Sequence, residues 1–161
     1  MPMRNGHHGY GSVTKVLHWL TVGAIAAQFA IGLQLHHRDS GAADDGPFAN
    51  GWTLRDLHIA MGVTILALAL ARTLWRATTA LPPWAEFLSP IERRVESVVE
   101  KVLLVLLLVI PATGLSFVVA DAPFALHVGT QLVFVAAVAV HVGLVLRHTV
   151  VRRDRILSRM L

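Results

Sequence analysis

The chain has 161 residues, 55% of them hydrophobic and only 15% charged, with a mean hydropathy of +0.60. A typical globular chain carries about 25% charge, so this one lacks the charged residues needed to coat a soluble surface. It has no cysteine, which excludes disulfides, thiolate zinc sites, iron–sulfur clusters and covalent C-x-x-C-H haem attachment, yet it carries 9 histidines beside 10 carboxylates.

Four apolar runs follow in chain order, each near the ~20 residues that cross a bilayer core of about 30 Å. The first, residues 16–35, begins beside His18 and contains Gln28. It is too long for the apolar part of a signal peptide and ends in Gln34-Leu35-His36-His37 rather than in small residues, so it is expected to persist as a span. The second, residues 57–75, opens on His58 and carries no charge from Ile59 to Ala71; Pro82-Pro83 closes its polar extension. Residues 91–101 read as a short amphipathic lead-in to the third run, 102–120, which is rich in Val, Leu and Ile and broken by Pro111 and Gly114. The fourth, residues 126–146, is rich in Val and Ala, with His127 at its start and His141 embedded in it. Connections are short, and there is no internal repeat or low-complexity tract. The expected fold is therefore all-α: one integral membrane domain over residues 1–161, packed as a four-helix bundle.

The 14 Lys and Arg residues are unevenly placed. Arg4 and Lys15 precede the first span; Arg72, Arg76, Arg93, Arg94 and Lys101 flank the link between the second and third; Arg147, Arg152, Arg153, Arg155 and Arg159 follow the fourth. Only Arg38 and Arg55 fall in the loop between the first two spans. Twelve against two is a strong positive-inside bias, so both termini are expected on the cytoplasmic side and the 36–56 loop on the other. The net charge of +4 is then a signal of orientation in a lipid bilayer, and nucleic acid is excluded as a partner.

Ionisable residues inside a membrane are costly and mark function. His7 and His8 lie in the polar leader, and His36 and His37 at the outer mouth of the first span, where solvated or interfacial roles suffice. The sequence leaves open whether the His36-His37 pair holds a metal. The other histidines sort by depth. His58 and His127 share the outer leaflet, His18 and His141 the inner one. His127 and His141 are two heptads apart, so they face nearly the same way about 21 Å from each other. Two facing imidazoles without a thiolate or carboxylate match the axial positions of a low-spin haem better than a four-ligand zinc site. Gly23, Gly32, Gly62, Gly129 and Gly143 would let a porphyrin approach, and equally serve ordinary helix packing. A histidine-lined cation or proton path is the remote alternative; it would want carboxylates along the spans, and no span core contains one.

The segments Val13-Thr14-Lys15-Val16-Leu17-His18-Trp19-Leu20, Leu57-His58-Ile59-Ala60-Met61-Gly62 and Ala71-Arg72-Thr73-Leu74-Trp75-Arg76 resemble the bacterial cytochrome b561 family. So do Ile110-Pro111-Ala112-Thr113-Gly114 and the His127, His141, His148 series that runs on to Arg153-Asp154-Arg155-Ile156-Leu157-Ser158-Arg159-Met160-Leu161, so the likeness covers nearly the whole chain. The resemblance implies a dihaem b-type cytochrome of the bacterial inner membrane that exchanges electrons with quinone. Its best-known members are oxidoreductases that oxidise superoxide at the outer face and reduce ubiquinone. On that footing His18 and His141 hold an inner haem b and His58 and His127 an outer one. His148, one heptad beyond His141, forms a candidate quinone site with Trp19 and Lys15. Arg55, three residues before His58, is a candidate contact for a haem propionate or an incoming anion. Asp39, Asp44, Asp45, Asp56 and Asp121 share its side of the membrane and oppose broad steering of superoxide. The superfamily also implies a second role, carrying electrons between quinone and a partner dehydrogenase or hydrogenase. Two departures stand out: relatives often have a histidine where this chain has Glu100-Lys101, and a second histidine where Thr149 follows His148.

Overall fold

The computed structural model describes residues 3–6, 9–41, 51–84, 88–153 and 160, without the side chains of 37–41. His7, His8, Asp44, Asp45, Arg155 and Arg159, and the side chains of His37, Arg38 and Asp39, lie outside what is described. Four helices carry the fold: α1 (Ser12–Gly41), α2 (Leu54–Thr78), α3 (Pro90–Ala120) and α4 (Phe124–Leu146). A single π-helical turn, Arg147–Val151, extends α4. Among the described residues the one extended pairing is an isolated bridge between Gly6 and Gly9.

Each expected span lies within one helix, and every helix starts before its apolar run. The reason is local. Thr53 caps α2 through the backbone N–H of Asp56 while the Asp56 carboxylate accepts from the Thr53 N–H; Ser89 and Glu92 do the same for α3, with Pro90 as its first residue. The lead-in at 91–101 is therefore the first three turns of α3. Nor do Pro111 and Gly114 break α3, which continues to Ala120. A proline in a membrane helix is tolerated where side chains and neighbouring helices satisfy the backbone groups around it. Asp121, in the left-handed conformation at φ 50°, ends α3 and turns the chain through three residues into α4.

All four helices are long and apolar enough to cross a membrane. Their outward faces confirm what kind of solvent they suit: Leu74 and Leu132 are each 67% exposed and Val119 72%, an apolar surface that water would penalise and lipid would not. Inside, Ile65 and Ala69 of α2, Leu106 and Leu107 of α3 and Phe134 of α4 form the buried centre, with Ala24 and Ile25 of α1 packed against it. The order of packing is sequential. α1 lies on α2, α2 on α3 and α3 on α4, whereas α4 packs far less closely on α1 or α2 among the described residues.

The start of α1, the end of α2, the start of α3 and the π turn meet at one end of the bundle, called here the basic end. Trp75 Nε1–H donates to Thr14 Oγ1 (3.0 Å), Thr14 donates to Asn5 Oδ1 (2.8 Å), and Asn5 Nδ2–H donates to the Ala80 carbonyl (3.0 Å). The leader is thereby tied across the ends of α1 and α2.

Candidate functional site

At the end opposite the basic one, His58 of α2 faces His127 of α4. Their ring centroids are 6.3 Å apart and their planes nearly perpendicular, at 85°. His127 is buried, and its Nδ1 sits 3.1 Å from the Ile110 carbonyl oxygen and 3.3 Å from Thr113 Oγ1. A carbonyl only accepts, so Nδ1 carries the proton and Nε2 keeps the lone pair, which here accepts from Gln131 Nε2–H at 3.0 Å. A metal-binding imidazole commonly has its other ring nitrogen held by a backbone carbonyl, which fixes the ring and its tautomer. Gly114 makes this position possible: a Cβ there would stand 2.9 Å from His127 Cε1. Gly32 lies against His58 less tightly, at 3.5 Å from Cε1 for a Cβ. Gln28, the polar residue of the first apolar run, donates to the His58 carbonyl at 3.1 Å and so ties α1 to α2 beside the ring. His58 Nδ1 is buried with no hydrogen-bond partner.

Toward the basic end, His18 of α1 and His141 of α4 lie within electrostatic range of each other, and both within range of Arg72 of α2. His18 Nδ1 is also buried without a hydrogen-bond partner. Arg72 borders a cavity of about 50 Å³ shared with Thr14, Trp75, Arg76 and Glu100. Its charge had counted only toward orientation, but its spacing carried a signal: Arg72 follows His58 by 14 residues, the interval that separates His127 from His141. Phe134, 4% exposed, stands one heptad from each of the two α4 histidines, between their levels.

The third α4 histidine is set differently. His148 lies in the π turn, where the Arg152 N–H reaches back to the Arg147 carbonyl at 3.0 Å. It is 1% exposed, and its Nε2 is 3.3 Å from Glu96 Oε1. Glu96 is the middle member of a ladder on one face of α3, since residues four apart stack on a helix. Glu92 pairs with Arg147 (3.2 Å) and Arg152 (2.8 Å), and Glu100 with Arg76. Glu100 is thus an interhelix ion-pair partner.

The remaining candidate residues are placed as follows. The Trp19 ring meets His18 edge-on at 5.3 Å, is 46% exposed, and gives its indole N–H to the Met160 carbonyl at 3.1 Å. Lys15 is half-buried in the first turn of α1, and Arg55 is exposed in the first turn of α2, beside the capping residue Asp56. His36 is exposed. Among the described residues no three His, Asp or Glu side chains converge on one point; the histidines come in twos.

Both pairs bridge helices that the backbone packing leaves apart, α2 to α4 and α1 to α4. His58 and His127, with ring centroids 6.3 Å apart, would hold a metal-centred group between them. Buried imidazoles lacking partners, one ring oriented by a carbonyl, and walls free of acids together suit bis-histidine haem. Over residues 9–161 the sequence matches the family model described as prokaryotic cytochrome b561. No curated protein matches it.

Proposed function

The chain belongs to the prokaryotic cytochrome b561 family, membrane b-type cytochromes of transmembrane electron transfer, and from that premise we propose that it is a dihaem superoxide:ubiquinone oxidoreductase. His58 and His127 would hold the outer haem b, and His18 and His141 the inner one. Bound haem would supply reversible one-electron iron chemistry at each level. The chain's own residues do the rest. The Ile110 carbonyl and Gly114 fix the His127 ring; the cluster of Ile65, Ala69, Leu106, Leu107 and Phe134 keeps water out of the space between the levels; and Arg72 sets a fixed positive charge beside the inner pair. The basic end is assigned to the cytoplasm by its arginines, and the quinone site to the neighbourhood of His148, Trp19 and Lys15.

The observation that supports this proposal is that His58 and His127 face each other from α2 and α4, two helices that do not pack closely on one another. It is tested by the optical spectrum of the detergent-purified protein. Sharp reduced α and Soret bands with two haems per chain are expected, and His58→Ala or His141→Ala should each remove one. A colourless folded protein would overturn the assignment.

A second reading is favoured by the charges at the outer end. Arg55 is exposed there, but Asp56 and Asp121 share that end, so an anionic donor gains little from long-range steering. A redox partner protein at that surface, such as a dehydrogenase or hydrogenase, suits these charges equally. Stopped-flow reduction by superoxide and by quinol separates the two: slow reduction by superoxide with fast reduction by quinol supports the partner reading.

A further inference from the structure

His148 is a titratable side chain withdrawn almost wholly from solvent, at 1% exposure, about 10 Å along α4 from His141. Its Nε2 faces Glu96 Oε1 at 3.3 Å, and the Glu96 side chain is 22% exposed. The Glu96 carboxylate thus lies within ion-pair reach of a buried imidazole at the basic end. His148 lies in the π turn Arg147–Val151, and such turns recur at functional sites. Arg147 and Arg152, beside His148 in the chain, both pair with Glu92, and Glu100 pairs with Arg76. The other described ionisable groups toward this end include Arg4, Lys15 and His18 of the leader and α1, Arg72 of α2, Arg93, Arg94 and Lys101 of α3, His141 of α4 and Arg153.

We propose that Glu96 and His148 are the proton-delivery pair of the quinone site. The proposal rests on the quinone reading given above and extends it to a residue on α3. Quinone reduction adds two electrons, delivered singly from the inner level, and forms two O–H bonds at the carbonyl oxygens. For each, an N–H bond of the His148 imidazole breaks as its proton passes to oxygen. Glu96 Oε1–H restores a proton at Nε2, and the carboxylate regains its own from water. Repetition of this cycle supplies both protons. An imidazole is suited to the task because it both takes and gives a proton near neutral pH.

The test uses the haem-loaded protein, reduced anaerobically with a stoichiometric amount of dithionite, then mixed with a short-chain ubiquinone or with ferricyanide, which accepts an electron and no proton. Glu96→Gln keeps the shape of the side chain but cannot relay a proton. It should slow quinone reduction by about 100-fold or more, in the range typical of a lost general acid, while haem content, spectrum and the ferricyanide rate stay as in the wild type. Glu96→Asp should recover part of the quinone rate and shift its pH profile. If the wild type reduces quinone and Glu96→Gln does so equally fast, the proton-delivery role is overturned and the quinone reading stands. If Glu96→Gln slows both acceptors alike, the ion pair is structural and the role is again overturned. If the wild type fails to reduce quinone while ferricyanide oxidises it, the quinone reading itself falls.

Discussion

Gly114→Ala is the sharpest probe of the outer histidine pair. The added methyl would stand 2.9 Å from Cε1 and 3.2 Å from Nδ1 of His127, where ordinary contacts begin at 3.4 Å. The ring must retreat by about half an ångström or more. It cannot do so freely, because Nδ1 is already 3.1 Å from the Ile110 carbonyl, near the long limit for a good N–H···O bond. Nor is α4 free to move aside, since α3 is the helix it packs on closely. Overpacking of this kind costs about 1–3 kcal/mol, and if that cost falls on the ligating position it weakens haem retention at this pair by roughly 5- to 150-fold. Haem content after purification, and haem loss to an apo-protein acceptor, measure the effect. Gly6→Ala, where a Cβ meets nothing within 4 Å, and Ile91→Ala, at a side chain 75% exposed, are controls away from both pairs, and both should retain two haems. Wild-type haem retention in Gly114→Ala, or equal loss in the controls, would refute the reasoning.

Two further outcomes are expected. Phe134→Ala should lower the thermal unfolding midpoint, at a cost of about 3–5 kcal/mol for truncating a ring in a closed core, while leaving both haems bound; unaltered stability would mean that the levels are not separated by a packed centre. Because the chain has no cysteine, single cysteines report orientation directly. Ala122→Cys should react with an impermeant maleimide in cells with a permeabilised outer membrane and Ser12→Cys should not, and the opposite pattern would invert the topology inferred from the arginines.

How much of this was legible in the sequence depended on the range of the interactions involved. Span number followed from apolar length, and the helix starts were written locally in Thr53-x-x-Asp56 and Ser89-x-x-Glu92, where a side chain three residues on completes each cap. Depth matching placed His58 with His127 and His18 with His141 because rise per residue is fixed in a helix. Contacts between helices were not so encoded. Gly114 reads as a helix breaker until His127 is placed beside it, and Arg72 reads as a topology charge until α2 is packed against α1. Glu96 is one residue of the lead-in to α3 until the fold sets it 3.3 Å from His148. The π turn itself has no local signature in Arg147-His148-Thr149-Val150-Val151, whose residues continue the apolar and basic pattern of a helix end.

The division of labour between α3 and α4 follows from these contacts. Within the described residues α3 carries no histidine, yet it is the helix packed closely on the one that carries three. Near its far end it supplies the Ile110 carbonyl, the Thr113 hydroxyl and the clearance of Gly114 to His127. Near its start it supplies Glu96 to His148 and, through Glu92, holds both arginines of the same turn. His141, midway, is set instead against Arg72 of α2 and His18 of α1. One face of α4 thus rests on a fixed brace while another looks onto the helices from which it stands apart. A bundle that must grip a flat group between helices needs that asymmetry: four mutually close-packed helices would leave no such gap, and an unbraced α4 would leave its imidazoles unoriented.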